Sequence, residues 1–243
     1  MPRRSVAIVV LATAVVALSV QVVGADSIAN HVVISEMQAA TDEFVELYNP
    51  TNSDIEMTGW HWCYFSSNRN WNESWRDKVF PSGATIPTHG FYLIVVNGDV
   101  GVTPDWNLSY VDGQLSDSAG SVGIFPWDPD TKTVEEAESE RIDAVAWGTV
   151  SYVKEGTEAV VPSSDKSIQR KVNDTITQNG YGPAWDSDDN SADFFIQESP
   201  TPTNSTTSST NPMPPIPEFP PFILLSIGLL ALAGAALLKK KSR

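Results

Sequence analysis

DEFVELYNPTNSDIEMTGW, running from Asp42 to Trp60, is the stretch that decides the fold. Asp42 to Tyr48 carries Phe44, Val45, Leu47 and Tyr48 and stops at Asn49-Pro50-Thr51-Asn52, a cluster of turn formers. Aromatic and β-branched residues fit a pleated surface, and Pro and Asn interrupt one. The stretch therefore reads as a strand, a turn and a second short strand at Ile55 to Met57. Glu43 and Glu46 stand three apart on the first strand. Side chains alternate faces along a strand, so the two carboxylates cannot converge on one reacting atom and read as structural.

The same pattern extends in both directions. His31 to Met37 precedes it across an Ala-Ala-Thr connection, and Trp60 to Phe65, Phe91 to Val96, Val122 to Phe125, Ile142 to Trp147 and Ser167 to Val172 follow. These short β runs, bounded by Gly, Pro, Asn or Asp, predict an all-β chain folded as an antiparallel sandwich. The one candidate helix is Val134 to Arg141, where glutamates outnumber any apolar stripe. Three segments read as long insertions between strands: Ser66 to Val79, Asn97 to Leu115 and Pro126 to Glu140. Loops at the ends of a sandwich are where binding residues usually sit.

The two ends of the chain predict export. Arg3 and Arg4 lead into an apolar run, Ser5 to Val23, that closes on Gly24 and Ala25. This is the layout of a signal peptide over 1–25, cut after Ala25, with an uncleaved anchor as the alternative. At the other end Phe222 to Leu238 holds no charge and is followed by Lys239, Lys240, Lys241 and Arg243. A helix of that length covers about 25 Å, enough for a thin bilayer core, and the basic cluster places 239–243 in the cytoplasm. Residues 220–238 are thus a candidate transmembrane helix. Residues 200–219, rich in Ser, Thr and Pro, read as an extended stalk. The body, 26–199, is the predicted sandwich domain.

Charge narrows the partners. All 30 acidic residues but only nine of the 15 basic ones lie between residues 26 and 219, a balance of −21. Phosphate recognition needs clustered cations, so nucleic acid is excluded as an expected partner. With a single cysteine, Cys63, no internal disulfide is available and the domain must rest on its hydrophobic core. Cys63 lies among Trp60, Trp62, Tyr64 and Phe65 and reads as a buried thiol.

In order and spacing, VVISEMQ, DEFVELYNPTNSDIEMTGW, IPTHGFYLIV, LSDSAGSVGIF, IDAVAWG, KSIQRKV, AWDSDDNSADF and SPTPTN resemble a lamin-tail domain from about Val32 to Asn204. That resemblance implies an immunoglobulin-like β-sandwich that serves for interaction or anchoring and carries no catalytic residues. The three insertions depart from the family pattern. Pro217-Glu218-Phe219-Pro220, followed by a hydrophobic helix and a basic cluster, resembles the PEF-type sorting signal of archaeal surface proteins. It implies processing by an archaeosortase-type enzyme, removal of the helix and attachment by another route, such as a lipid.

Candidate sites follow from residue type. His31, His61 and His89 are far apart and no HExxH or GxSxG occurs, so no catalytic constellation is expected and the chain does not read as an enzyme. Asp186, Asp188 and Asn190 fall at the 1, 3, 5 spacing of calcium ligands. A solvated turn with aspartates bonding local amides explains the same residues. Beyond calcium no cofactor is expected. Trp71, Trp75 and Trp106 lie in the insertions, as exposed readers of carbohydrate or protein, or as small satellite cores. Trp60, Trp62, Trp147 and Trp185 lie in or beside strands and read as core. Sequons at Asn72, Asn107, Asn173 and Asn204 are candidate glycosylation sites on an exported chain.

The expected function is a non-catalytic module on the cell surface, binding an envelope protein or glycan through its loops. Self-association into a surface layer is the alternative. A calcium-dependent adhesion domain or an accessory to an enzyme are the remaining readings.

Overall fold

A computed structural model describes residues 28–67, 71, 76–108, 115–173 and 182–206. The strands are β1 Val33–Gln38, β2 Glu43–Tyr48, β3 Ile55–Glu56, β4 His61–Ser66, β5 Arg76–Val79 and β6 Thr85–Ile86. They continue as β7 Phe91–Asn97, β8 Trp106–Asn107, β9 Gly120–Phe125, β10 Asp143–Trp147, β11 Ser167–Arg170 and β12 Phe194–Gln197. Two short helices, α1 Val134–Glu140 and α2 Asn190–Asp193, complete the described part. Each of the eight runs read from the sequence overlaps a strand.

One sheet has the order β12-β11-β1-β2-β7-β8 and the other β10-β9-β4-β5, with β3 and β6 forming a separate pair. All pairings are antiparallel except β7 with β8. Ile34, Val45, Leu47 and Ile94 of the first sheet and Trp62, Tyr64, Val122, Val145 and Trp147 of the second share one buried cluster. The sheets therefore pack face to face as a β-sandwich. Trp147, fully buried, stacks near Tyr64 at 6.3 Å and donates its indole N–H to the Ser116 carbonyl at 2.8 Å. That bond lets a polar atom of the largest side chain enter the core.

Both outer faces are covered as well, which is why β1, β2, β4, β9 and β10 are buried nearly throughout instead of alternating. On the first sheet Phe44, Leu93 and Val95 pack against Val100 and Val102, and Val33, Tyr48 and Phe91 pack against Ala184. On the second, Cys63, Phe65 and Phe125 pack under Trp71, Val153 and Ala137 of α1.

The expectation of loop insertions is corrected here. Part of 66–79 is strand β5, part of 97–115 is β8, and 126–140 supplies α1, whose only buried residue is Ala137. These segments cover the sheets; they are not appended to the sandwich ends. Glutamates dominate α1 because they hold it in place. The Thr133 hydroxyl accepts from the Glu136 N–H at 3.3 Å, and Glu136 Oε2 accepts from the Thr133 N–H at 2.9 Å, a reciprocal cap. Glu138 Oε1 takes the Val153 N–H at 2.5 Å and fastens the helix to the next loop.

Residues 200–206, expected to open the stalk, are part of the described fold. Pro200 to Thr206 lie on the first sheet, with Asn204 buried. The predicted signal peptide over 1–25, the motif Pro217, Glu218, Phe219 and Pro220, and the helix over 220–238 lie outside the described residues. Among the described residues no helix is long and apolar enough to cross a membrane.

Candidate functional site

Two polar centres are built on the first sheet, one on its outer side and the other between it and the second sheet. The first arises from register: β1 and β2 pair so that Glu36 faces Glu46 directly, with a bulge between Ile34 and Glu36. The bulge frees Ser35 to turn its hydroxyl onto Glu46 Oε1 at 2.6 Å. Glu36 and Glu46 are both buried. Like charges directly opposed on a ladder repel, and removing them from water adds to the cost.

The chain's exit segment meets that cost. Glu36 Oε1 accepts from the Ser167 hydroxyl at 2.5 Å and the Thr201 N–H at 3.0 Å, and its Oε2 from the Thr201 hydroxyl at 3.1 Å. The Thr203 N–H donates to Glu46 Oε2 at 2.7 Å. Two residues on, Ser205 donates its N–H to Asp105 Oδ2 at 2.9 Å and its hydroxyl to Asp105 Oδ1 at 2.5 Å. Donors recur at 201, 203 and 205, the period of an extended segment, and Pro200 and Pro202, which lack an N–H, occupy positions between. Even so, burial holds the Glu36 pKa above the usual carboxylate range, and burial together with the Glu36 charge pushes Glu46 well above it.

The second centre is Arg170 at the end of β11, with no exposed surface on its side chain. Its Nη2 donates to both carboxylate oxygens of Asp143 at 2.9 Å, its Nε to the Ile34 carbonyl at 2.8 Å and its Nη1 to the Trp185 carbonyl at 3.0 Å. Asp186 lies 3.5 Å away, Asp193 3.7 Å and Glu155 4.0 Å. The guanidinium also stands 4.7 Å over the Phe194 ring. Burial disfavours the Arg170 charge, but the surrounding carboxylates outweigh it and raise its pKa. Burial keeps Asp143 and Asp193 up and Glu155 well up. Arg170, Asp143, Asp186 and Asp193 come from KSIQRKV, IDAVAWG and AWDSDDNSADF, so three separated blocks meet at one buried ion cluster.

The three residues with calcium-ligand spacing are placed apart from one another. Asp186 turns to Arg170 and to His31 Nε2 at 3.4 Å. Asp188 is exposed, at a positive φ of 57°. Asn190 is fully buried: its Oδ1 accepts the Ala146 N–H at 3.0 Å and its Nδ2 donates to the Ala144 carbonyl at 2.9 Å. Asp186 and Asn190 thus each have protein partners, and Asp143, Glu155 and Asp186, whose carboxylate oxygens lie within 4.8 Å of one another, gather beside the guanidinium.

For the tryptophans the structure shows packing of the satellite kind. Trp71 is buried, stacked 5.4 Å from Phe65, with its indole N–H donated to the Lys132 carbonyl at 3.3 Å. Trp106 is half-buried, 4.8 Å from Phe80. Both therefore serve packing, as satellites of the core, and neither stands out as a surface reader. Trp75 and Asn72 lie outside the described residues. Asn204 is 6% exposed and donates its amide to the Thr103 carbonyl at 2.7 Å, so a glycan there would displace the exit segment. Asn107 is exposed on β8, and Asn173 is half-buried.

Sequence reasoning missed the Glu36 and Glu46 pair and the threonines that clamp it. The signal was the alternating Pro-Thr-Pro-Thr of residues 200–203, which reads as low complexity unless its spacing is compared with a strand. Arg170 was legible only as a cation inside a β run.

An immunoglobulin-like sandwich, covered on both outer faces and strapped by the segment 200–206, is the class of fold that these residues define. The lamin tail domain family profile matches residues 26–149, and the chain belongs to that family. A DUF4876 family protein from Bacteroides thetaiotaomicron, known as a crystal structure, is similar at 12% identity and a TM-score of 0.40, over 76% of this chain and 72% of its own. No curated protein matches the chain.

Proposed function

We propose that this is a non-catalytic anchoring and interaction module of the cell exterior, binding an envelope protein or glycan. The observation that supports it is the way the chain leaves the sandwich. Thr201, Thr203 and Ser205 are tied to Glu36, Glu46 and Asp105 across three strands or strand ends, so tension on the following segment loads the sheet and not a loose terminus. Such an exit suits a domain held by its C-terminal side. In this reading 1–25 direct export, the Ser/Thr/Pro segment beyond Thr206 is the spacer, and Pro217-Glu218-Phe219-Pro220 with the helix after it is the archaeosortase-type address. Mass spectrometry of the mature protein from its native membrane tests the address: a chain intact through Arg243 overturns the processing step.

The binding role is tested by adding the purified chain to isolated envelopes. Saturable co-sedimentation that unlabelled protein competes away is the expected result. Absence of any saturable component removes the reading.

Self-association into a surface layer is the second reading, supported by β5. It is the outer strand of its sheet and ends in Val79, which is 53% exposed. An unpaired strand edge with an apolar residue is a template for another strand. Concentration-dependent oligomers without added envelope, abolished by Val79→Lys, would favour it.

A further inference from the structure

We infer that His61, Asp77 and Asp128 form a binding site for a transition-type divalent cation such as zinc, with Cys63 supporting it from behind. The donor atoms of His61, Asp77 and Asp128 all lie within 4.8 Å of one another. His61 Nδ1 is 2.7 Å from Asp77 Oδ1, and the Cys63 thiol donates to that same oxygen at 3.2 Å.

Three elements build this cluster. His61 and Cys63 are two apart on β4 and share a face, and β5 pairs with β4 so that Asp77 stands opposite Cys63. Asp128 comes from the turn after β9, where Pro129 is buried and Asp128 Oδ1 caps the following turn by accepting the Asp130 N–H at 2.9 Å. Its Oδ2 takes no hydrogen bond among the described residues. Donors carried on paired strands and a capped turn are held in place before any ion arrives.

Electrostatics point the same way. Among the described residues no Lys or Arg forms an ion pair with Asp77 or Asp128, and His61 is the basic side chain beside Asp77. An imidazole between two carboxylates suits zinc, whose site takes nitrogen and oxygen ligands, and does not suit calcium, which takes oxygen. The Cys63 bond to Asp77 is then the outer support that orients a ligating carboxylate. Bound there, the ion would join β4 and β5 to the turn leading into α1, a cross-link in a chain whose single cysteine precludes a disulfide.

The test is zinc titration of the purified full chain by calorimetry and thermal melting, against His61→Ala, Asp77→Asn, Asp128→Asn and Cys63→Ser. The expected result is one zinc per chain and a raised Tm. Asp128→Asn keeps a capping side chain and should fold normally, yet bind at least tenfold more weakly; His61→Ala should abolish binding. Cys63→Ser should retain binding with a loss of about tenfold. Cobalt substitution should give visible d–d bands of a low-coordinate site without a thiolate charge-transfer band. Failure of zinc to bind, or binding unchanged by both His61→Ala and Asp128→Asn, overturns the assignment. A thiolate charge-transfer band overturns the ligand set, because it would make Cys63 a direct ligand. Should His61→Ala not fold, Asp128→Asn alone decides.

Discussion

At Arg170 one guanidinium is shared by Asp143, Asp186 and Asp193, and no part of its side chain reaches water. A buried pair is poor evidence for net stability, since desolvating both ions offsets their attraction, but removing one partner strands the others in a dry layer. Arg170→Met keeps much of the volume and leaves Asp143 facing its Ile34 N–H alone at 2.5 Å. We expect a loss of about 3–5 kcal/mol in urea unfolding. Arg170→Lys should recover only part of it, because an ammonium cannot engage both Asp143 oxygens and the Ile34 and Trp185 carbonyls together. Equal stability of Arg170→Met and the parent would show that the carboxylates accept protons at no cost. Gly148 follows a different logic. Its φ is 67°, and a Cβ there would lie 2.3 Å from the Ser118 carbonyl oxygen. Gly148→Ala combines a strained backbone with a steric collision and should cost more than about 1–2 kcal/mol, read as a lowered Tm.

Among the elements, the exit segment is the one whose removal separates structure from composition. Ending the chain at Ser199 deletes the donors to Glu36, Glu46 and Asp105, while the two glutamates regain water. Each bond to a charged group contributes roughly 1.5–3 kcal/mol, and rehydration returns part of it, so a net loss of about 2–4 kcal/mol is expected in denaturant unfolding. No loss would mean that the segment merely rests on the sheet. The strands themselves were legible because Val, Ile, Phe and Tyr runs bounded by turn residues reflect forces local to each run. β5, β6, β8 and β12 were not, and the reason is physical: Arg76–Val79 is polar, Thr85–Ile86 and Trp106–Asn107 are two residues long, and Phe194–Gln197 follows a segment rich in aspartates. Their pairing is decided by the neighbouring strand. The sites were less legible still. Asp186 and Asn190 have ligand spacing, but their real partners, Arg170 and the Ala144 and Ala146 backbone, are supplied by distant segments. For Trp71 the sequence left an exposed and a packed reading open for the same reason, since the ring it stacks on, Phe65, lies on β4.

For the molecule as a whole, the number of buried carboxylates sets a pH dependence whose sign can be worked out. Burial raises Glu36, Glu46, Asp143, Glu155 and Asp193. For Glu46 the Glu36 charge adds to the effect. A carboxyl whose folded pKa lies above its unfolded value binds more protons in the folded state. Stability is therefore greatest near the unfolded value, 4.5 for a glutamate, and falls as pH rises through the folded pKa. Glu136, Glu158 and Asp189 are lowered by hydrogen bonds and act in the opposite sense, losing their contribution only in stronger acid. Glu136 is exposed and Glu158 and Asp189 are half-buried, so solvent screens their share and the buried set prevails between about pH 5 and 7.5. The balance of −21 over residues 26–219 works in the same direction, because self-repulsion relaxes as carboxyls protonate and as salt is added. The chain should thus be more stable in urea at pH 5 than at pH 7.5, with the gap narrowing in molar salt only by the screened, surface share. Glu46→Gln isolates the buried share. Glutamine keeps an oxygen for the Thr203 N–H and presents a donor toward Glu36, so it should raise stability at pH 7.5 and flatten the slope. A parent chain that gains stability steadily from pH 5 to 7.5 would mean that hydrogen bonds from Ser35, Ser167, Thr201 and Thr203 outweigh burial at the pair, and Glu46→Gln would then lower stability at neutral pH.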